Sequence, residues 1–451
     1  MASISESSAE RIRAITDRYT TAEERQRVPG INIRVINKDG ATILSHTSGQ
    51  ITRIENPSET RPLNPDDAVR FYSVGKLFAA VAALQLAERG LLDLDDPKVV
   101  EKYLPQFSPE RMKVLKRLEP GEPGKRQPVW EERMSPITVR MLLTHTAGVS
   151  HTIFDAEHRE MLNGGSASNL SPKTPWEIYR AGQDKHFYID QPGVRFHYSG
   201  GMEPIAILVE KITGMSLRNY YDANIVKPAG FKHTRAYNVE ESIPEPSKLH
   251  TPSMRSPDGS FKPQLMTAGS TFYGLRANDD FKAFPESDKH GYSVSTTIVG
   301  TAGDLSLLLA ALLNDGVSPV TGERVLSPES IKMMATPQLS PSQIEKHRRV
   351  GDPGPVNHSA DLGARDPKGS IGISCAVQGE DRMIRTGRGR KAGSFYWYGL
   401  ANMDWWVDPK AGIAVVATSH FFPWQDPAWV DYVGEVEEAI YDGLEPSKAH
   451  L

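Results

Sequence analysis

The order of patterns along the chain predicts an α+β protein. An antiparallel sheet built from both chain termini is flanked by helices, and a mostly helical domain is inserted between its halves. Three observations predict it. Strand-like alternation occurs early, in INIRVINKDGATILSH (31–46), and returns only late, in IGISCAV, ANMDWWVD and GIAVVATSHF. The stretches between carry the strongest helical runs. At 451 residues the chain is long for a single core. The expected division is a sheet unit from 1–72 and 295–451 and a helical unit from 73–294, with the functional site at their interface.

Each element has its reason. Residues 8–27 are polar and charged, with Ile12, Ile15 and Tyr19 at helical spacing. Lys38-Asp39-Gly40 is a hairpin turn between alternating runs. After Ser73, LFAAVAALQLAERGLLDLDD is apolar nearly all round and closes near Gly90, which predicts a buried helix. Residues 105–134, rich in Pro, Gly and charge, read as a surface excursion. Ser135-Pro136-Ile137-Thr138 opens a helix into VRMLLTHTAG, and MEPIAILVEKITG (202–214) predicts another. Stretches 240–293 and 337–370 are polar and without periodicity, and helix returns over 300–316. The three late runs are strands, and a last helix covers 426–443. There is no internal repeat and no low-complexity tract.

Composition excludes several classes. Hydrophobic content of 39% with 24% charged residues fits a soluble globular protein. A net charge of −4 with both signs interspersed argues against nucleic acid as a partner. A single cysteine, Cys375, excludes an internal disulfide framework, fits a reducing compartment and is expected to be buried and inert. No apolar stretch of signal-peptide length opens the chain, and no window approaches the roughly 20 apolar residues of a membrane span. The expectation is an intracellular, cytoplasmic protein with no membrane partner. The ending Ala449-His450-Leu451 is a relaxed form of the peroxisomal S-K-L address.

The chemistry starts at FYSVGKLFAA (71–80). Ser73 and Lys76 are three residues apart, on one helical face, where the sequence turns apolar. A serine hydroxyl is a weak nucleophile until a neighbour accepts its proton. An ordinary lysine is almost wholly charged near neutral pH, but burial disfavours the charged form. The apolar run after Lys76 is the surrounding that a lysine base requires. This is the one S-x-x-K in the chain, and it opens its most apolar helix.

These residues, followed by Leu142-Leu143-Thr144-His145-Thr146-Ala147-Gly148, resemble the serine β-lactamase and penicillin-binding-protein superfamily. The likeness is greatest to its class C-like esterase and transesterase branch, the fungal lovastatin-type transesterases among them. It extends to Pro192-Gly193-Val194-Arg195-Phe196-His197-Tyr198, to the triplet Trp397-Tyr398-Gly399, and to the ending HFFPWQDPAWVDYVGEVEEAIYDGL. The resemblance implies a class C β-lactamase-like fold and an acyl-enzyme on Ser73, with proton work shared by Lys76 and Tyr198. Which of these two is the base stays open. It implies an oxyanion held by the backbone N–H groups of Ser73 and Leu400, and substrate contacts from Trp397, Tyr398, Gly399, His197 and Gly200. It calls for no cofactor and no metal. The chain departs from the β-lactamases at two points. Gly200 stands where Y-x-N has asparagine, and Trp397 stands where K-T-G has lysine. Both changes argue against efficient β-lactam hydrolysis. An aromatic in place of a cation favours a neutral, apolar acyl group or acceptor, and Tyr398 is expected to narrow the cleft.

Other motifs are missing. There is no G-x-S-x-G, no H-E-x-x-H and no phosphate loop. His145 and His151 are expected to be structural. The basic run Arg385–Lys391 reads as a solvated turn, or as a contact for an acidic acyl carrier or thioester donor. Trp405, Trp406, Phe421, Phe422, Trp424 and Trp429 are expected mainly in the core, with one or two lining an acyl pocket. The predicted function is an esterase or acyltransferase acting on a small-molecule donor and acceptor, within secondary metabolism. The alternatives are a non-hydrolytic acid–base enzyme on the same scaffold and a catalytically silent ligand-binding relative.

Overall fold

Eight strands form one sheet, antiparallel throughout. The structure is a computed structural model. It describes residues 2–23, 27–52, 59–109, 113–122, 126–149, 187–188, 190–198, 202–236, 248–263, 294–295, 298–344, 366, 368–384 and 387–445. The early strands of the sheet are β1 (Gly30–Asn37), β2 (Thr42–Thr52) and β3 (Thr60–Pro62). Outside the sheet lie β4 (Lys113–Pro120), β5 (Arg126–Glu131) and β6 (Ile298–Gly300). The late strands of the sheet are β7 (Ser370–Ile371), β8 (Ala376–Val377), β9 (Phe395–Gly399), β10 (Met403–Asp408) and β11 (Ile413–Thr418). Their order is β7-β8-β9-β10-β11-β1-β2-β3. Early and late strands therefore meet at the centre, where Val415 pairs with Val35 and Ala417 with Ile33.

Helices cover both faces of the sheet. Alternation along the strands puts Val35, Val415, Trp406 and Tyr396 on one face. That face meets helices α1 (Glu6–Thr21) and α6 (Pro427–Gly443). These two helices also pack on each other, with Thr16 and Tyr432 sharing a 3.3 Å hydrogen bond. Arg34, Val416, Trp405 and Trp397 point to the other face. There helix α5 (Ala302–Leu313) lies so close that a Cβ on Gly303 would meet an Arg34 nitrogen at 2.6 Å. Two covered faces explain why IAVVAT is apolar at consecutive positions and buried throughout. Helices α2 (Gly75–Glu88), α3 (Val139–Leu143) and α4 (Pro204–Thr213) stand on the same side as α5, and α2 is buried at every position from Gly75 to Leu86. No helix among the described residues is long and apolar enough to cross a membrane.

The structure differs from expectation at four points. The first helix spans 6–21, because Ser5 caps it by accepting from the Ser8 N–H. The cap of α3 is Thr138, whose hydroxyl accepts from the Met141 N–H at 3.2 Å, and not Ser135. The excursion at 105–134 contains an antiparallel ribbon, β4 with β5, anchored by buried Val114 and Leu115. IGISCAV is not one strand. It is the hairpin β7–β8, turned at residues 372–375 with Ser374 at φ +62°.

Candidate active site

Three segments converge around Ser73. The first is its own. Ser73 lies in a 3₁₀ turn, Tyr72–Val74, that runs directly into α2. Tyr72 holds φ +46°, a conformation that costs a bulky residue about 1–3 kcal/mol unless its surroundings enforce it. Here its ring is held edge-on by Phe422 at 5.8 Å and at a tilt by His420 at 6.1 Å. The turn then delivers Ser73 and Lys76 to one face, where Lys76 Nζ donates to Ser73 Oγ at 3.1 Å. Lys76 itself is only 4% exposed.

The second segment brings Tyr198. Gly148 ends the Leu142–Gly148 stretch at φ +75°, and a Cβ there would sit 2.1 Å from the Asp190 carbonyl oxygen. Glycine thus lets residues 190–198 lie against the motif. They are tied to it by two hydrogen bonds of 2.8 Å, Gly193 N–H to the Thr146 carbonyl and His197 N–H to the His145 carbonyl. Tyr198 arrives with its ring 5.0 Å from Lys76 Nζ and 4.7 Å from the His145 ring. His145 is buried and packs edge-on against Phe196, in keeping with a structural role. His197 turns to a different network, in which its Nε2 accepts from Arg195 Nε at 2.9 Å and Arg195 pairs with Asp190.

The third segment is the end of β9. Trp397 faces the site, its ring 5.3 Å from that of Tyr198. A side chain on Gly399 would meet the Phe71 carbonyl oxygen at 3.0 Å, so this strand end lies against the residues leading into Ser73. Leu400 follows and packs on Tyr72, Ala401 and Phe422. The Tyr398 ring touches that of Trp397 at 5.9 Å, Tyr396 at 5.8 Å and Trp424 at 6.3 Å, and lines a small cavity with Arg382, Arg390, Asp404 and Trp429. Gly200 and His151 lie outside the described residues, as do Arg385, Thr386 and Ala449-His450-Leu451.

Two residues of the site carry no sequence motif. Ser295 Oγ accepts from Lys76 Nζ at 2.7 Å. Buried Glu203, next to the first residue of α4, accepts from the N–H groups of Val294 at 2.6 Å and Ser295 at 3.0 Å. The helix start at Gly75 matches this loop, because a Cβ there would lie 2.2 Å from the Val294 carbonyl oxygen.

The remaining candidates fall elsewhere. Trp405, Trp406, Phe421 and Trp429 are core residues. Cys375 is buried with its thiol pushed up by burial, donating to the Met334 carbonyl. The basic run is not a solvated turn at Arg390, which is 1% exposed. Its guanidinium donates to both carboxylate oxygens of Glu437, at 3.0 and 2.9 Å, and lies over the rings of Tyr396 and Trp406. Burial would raise the Glu437 carboxyl, but Arg382 and Arg390 outweigh it and hold the group at about 2. Among the described residues no group of His, Cys, Asp and Glu could hold a metal ion.

The chain is similar to several known proteins. The chain is 26% identical over 434 residues to monacolin J acid methylbutanoyltransferase of Aspergillus terreus, covering 94% of each chain. It is 23% identical over 402 residues to lovastatin esterase of Penicillium rubens, covering 88% of this chain and 90% of the relative. Unliganded simvastatin synthase of Aspergillus terreus has the same fold, with a TM-score of 0.74 at 25% identity over 96% of this chain and 98% of that one. The family described as Beta-lactamase matches residues 12–436. That span takes in every segment converging on Ser73, and the chain belongs to the beta-lactamase family.

Proposed function

We propose that this enzyme transfers acyl groups through Ser73, taking one from a small-molecule ester or thioester and passing it to an alcohol, an amine or water. The observation that carries the reading is the 3.1 Å hydrogen bond from Lys76 to Ser73 at the head of a buried helix. Lys76 takes the Ser73 proton as Oγ adds to the acyl carbonyl. The oxyanion is received by the N–H groups of Ser73 and Leu400, and Tyr198 passes the proton to the leaving group and later collects one from the acceptor. The close approach of Gly399 to Phe71 supports this pairing of strand end and nucleophile turn. Trp397 beside Tyr198 supports a neutral, apolar acyl group.

The relatives include a methylbutanoyltransferase and a lovastatin esterase, so one family serves both outcomes. The enzyme is a serine acyltransferase or esterase of secondary metabolism. Whether acyl transfer outruns hydrolysis depends on how well the acceptor displaces water from the acyl-enzyme. The site falls where a sheet unit, 1–72 with 295–451, joins a helical unit, 73–294. Ser73 and Ser295 stand at the two crossings. The single cysteine, Cys375, supports an intracellular setting for the reaction.

The test is covalent labelling. Wild type and Ser73→Ala are treated with a fluorophosphonate and with p-nitrophenyl acyl esters and weighed intact. An adduct and ester turnover in the wild type alone are expected. A folded wild type that takes up no adduct and turns over no ester overturns the reading.

A further inference from the structure

The shortest hydrogen bond that Lys76 makes in the site runs to Ser295, at 2.7 Å against 3.1 Å for Ser73. We propose that Ser295 is a positioning residue for the Ser73–Lys76 pair, and that Glu203 fixes Ser295 in place. The inference rests on Ser73 being the nucleophile. To take the proton of Ser73, the amine of Lys76 must be neutral, with two N–H groups and one lone pair, and the lone pair must face Ser73 Oγ. A free amine at the end of a flexible chain turns about its last bond. When Ser295 Oγ accepts one N–H, that rotation is arrested and the lone pair is left toward Ser73. As the Ser73 O–H bond breaks and its Oγ bonds the acyl carbon, the proton becomes the third N–H of Lys76. The new ammonium keeps its bond to Ser295, now charge-assisted. Ser295 neither gains nor loses a proton, so it acts through Lys76 alone.

The hydroxyl is held from two sides. The Glu203 carboxylate takes the backbone N–H groups of both Val294 and Ser295. The Val294 carbonyl is seated over Gly75, one residue before Lys76. The start of α4, the approach to β6 and the start of α2 thus meet at one hydrogen bond, so a change at Glu203 reaches Lys76 without touching it.

The experiment uses the full chain with p-nitrophenyl butyrate as probe. Stopped-flow acylation, steady-state kcat and KM, and fluorophosphonate labelling of Ser73 are compared in wild type, Ser295→Ala, Ser295→Thr and Glu203→Gln. Loss of a hydrogen bond to a charged group predicts that Ser295→Ala slows acylation by about 10- to 100-fold. KM is expected to stay within about twofold, because the loss is one of transition-state stabilisation. Ser295→Thr, which keeps the hydroxyl, is expected to recover most of the rate. Glu203→Gln is expected to move kcat in the same direction as Ser295→Ala. Ser295→Ala acylating at the wild-type rate overturns the proposal. So does equal impairment of the alanine and threonine variants, which marks a packing role and needs no result from Glu203→Gln. If the wild type takes no label on Ser73, the nucleophile reading fails, and this inference with it. If the wild type labels and Ser295→Ala labels as fast, the positioning role alone fails.

Discussion

Gly75→Ala sets local helix propensity against packing at the centre of the site. Gly75 has φ −57° and ψ −23°, ordinary helical values. On local grounds alanine is welcome, worth up to about 1 kcal/mol. The surroundings oppose it. A Cβ would sit 2.2 Å from the Val294 carbonyl oxygen, and the nearest tolerable approach is 3.0 Å. The carbonyl must therefore retreat by roughly 0.8 Å, and a forced backbone shift of this kind costs about 1–3 kcal/mol. Packing outweighs propensity, for a net destabilisation of about 0.5–2 kcal/mol. The activity falls for a related reason. Ser295 follows Val294 in the chain, and moving it by the same amount stretches its 2.7 Å contact with Lys76 to the limit of a hydrogen bond. Acylation is expected to slow by about tenfold or more. Urea denaturation measures the first effect and stopped-flow acylation with p-nitrophenyl butyrate the second. A Gly75→Ala protein that is more stable than wild type and acylates at the same rate refutes the reasoning.

Lys76→Met removes the proton acceptor at nearly constant volume, and the acylation rate should drop by about 10²- to 10⁴-fold with the near-UV circular dichroism unchanged. Glu437→Gln leaves the buried Arg390 without its counter-charge and should cost about 3–5 kcal/mol in urea denaturation. An unaltered midpoint would show that the pair is not closed in solution. Acid should weaken the fold in two stages. Burial holds His420 down at about 4, with the carbonyl bond to His250 opposing and nearby Arg70 adding to the fall. Its pKa is depressed on folding, so its contribution is complete above pH 6.5 and lost as pH falls toward 4, a loss of roughly 3 kcal/mol. Glu437, held at about 2, is depressed too, and its contribution is lost below pH 4.5. Urea midpoints that stay flat from pH 7 to 4 would contradict the first stage.

What could be read in the sequence was what short-range pattern encodes. The Lys38-Asp39-Gly40 turn and the strands around it follow from alternation, and S-x-x-K beside an apolar run marks Ser73 and Lys76. Ser295 escaped because its bond to Lys76 joins residues 219 positions apart, and nothing near Ser295 has a period or a motif. Arg390 looked like part of a solvated basic run because Glu437, 47 positions on, is the group that takes it inside. The ribbon at 113–131 was hidden by its charge, since strands with one face in water hold few apolar residues.

The central pairing of β1 with β11 also governs how the chain reaches its native state. Val35 meets Val415 only after nearly the whole polypeptide exists. Contacts so distant in sequence give a high contact order, which slows folding. During synthesis β1 presents an unpaired hydrogen-bonding edge until residues past 413 leave the ribosome, so the nascent protein carries an aggregation hazard for most of its translation. The pocket side of Ser73 waits as well, because the strand end at Gly399 is among the last pieces to arrive. An incomplete chain can build its long apolar helix, yet it has no wall against which to offer the nucleophile.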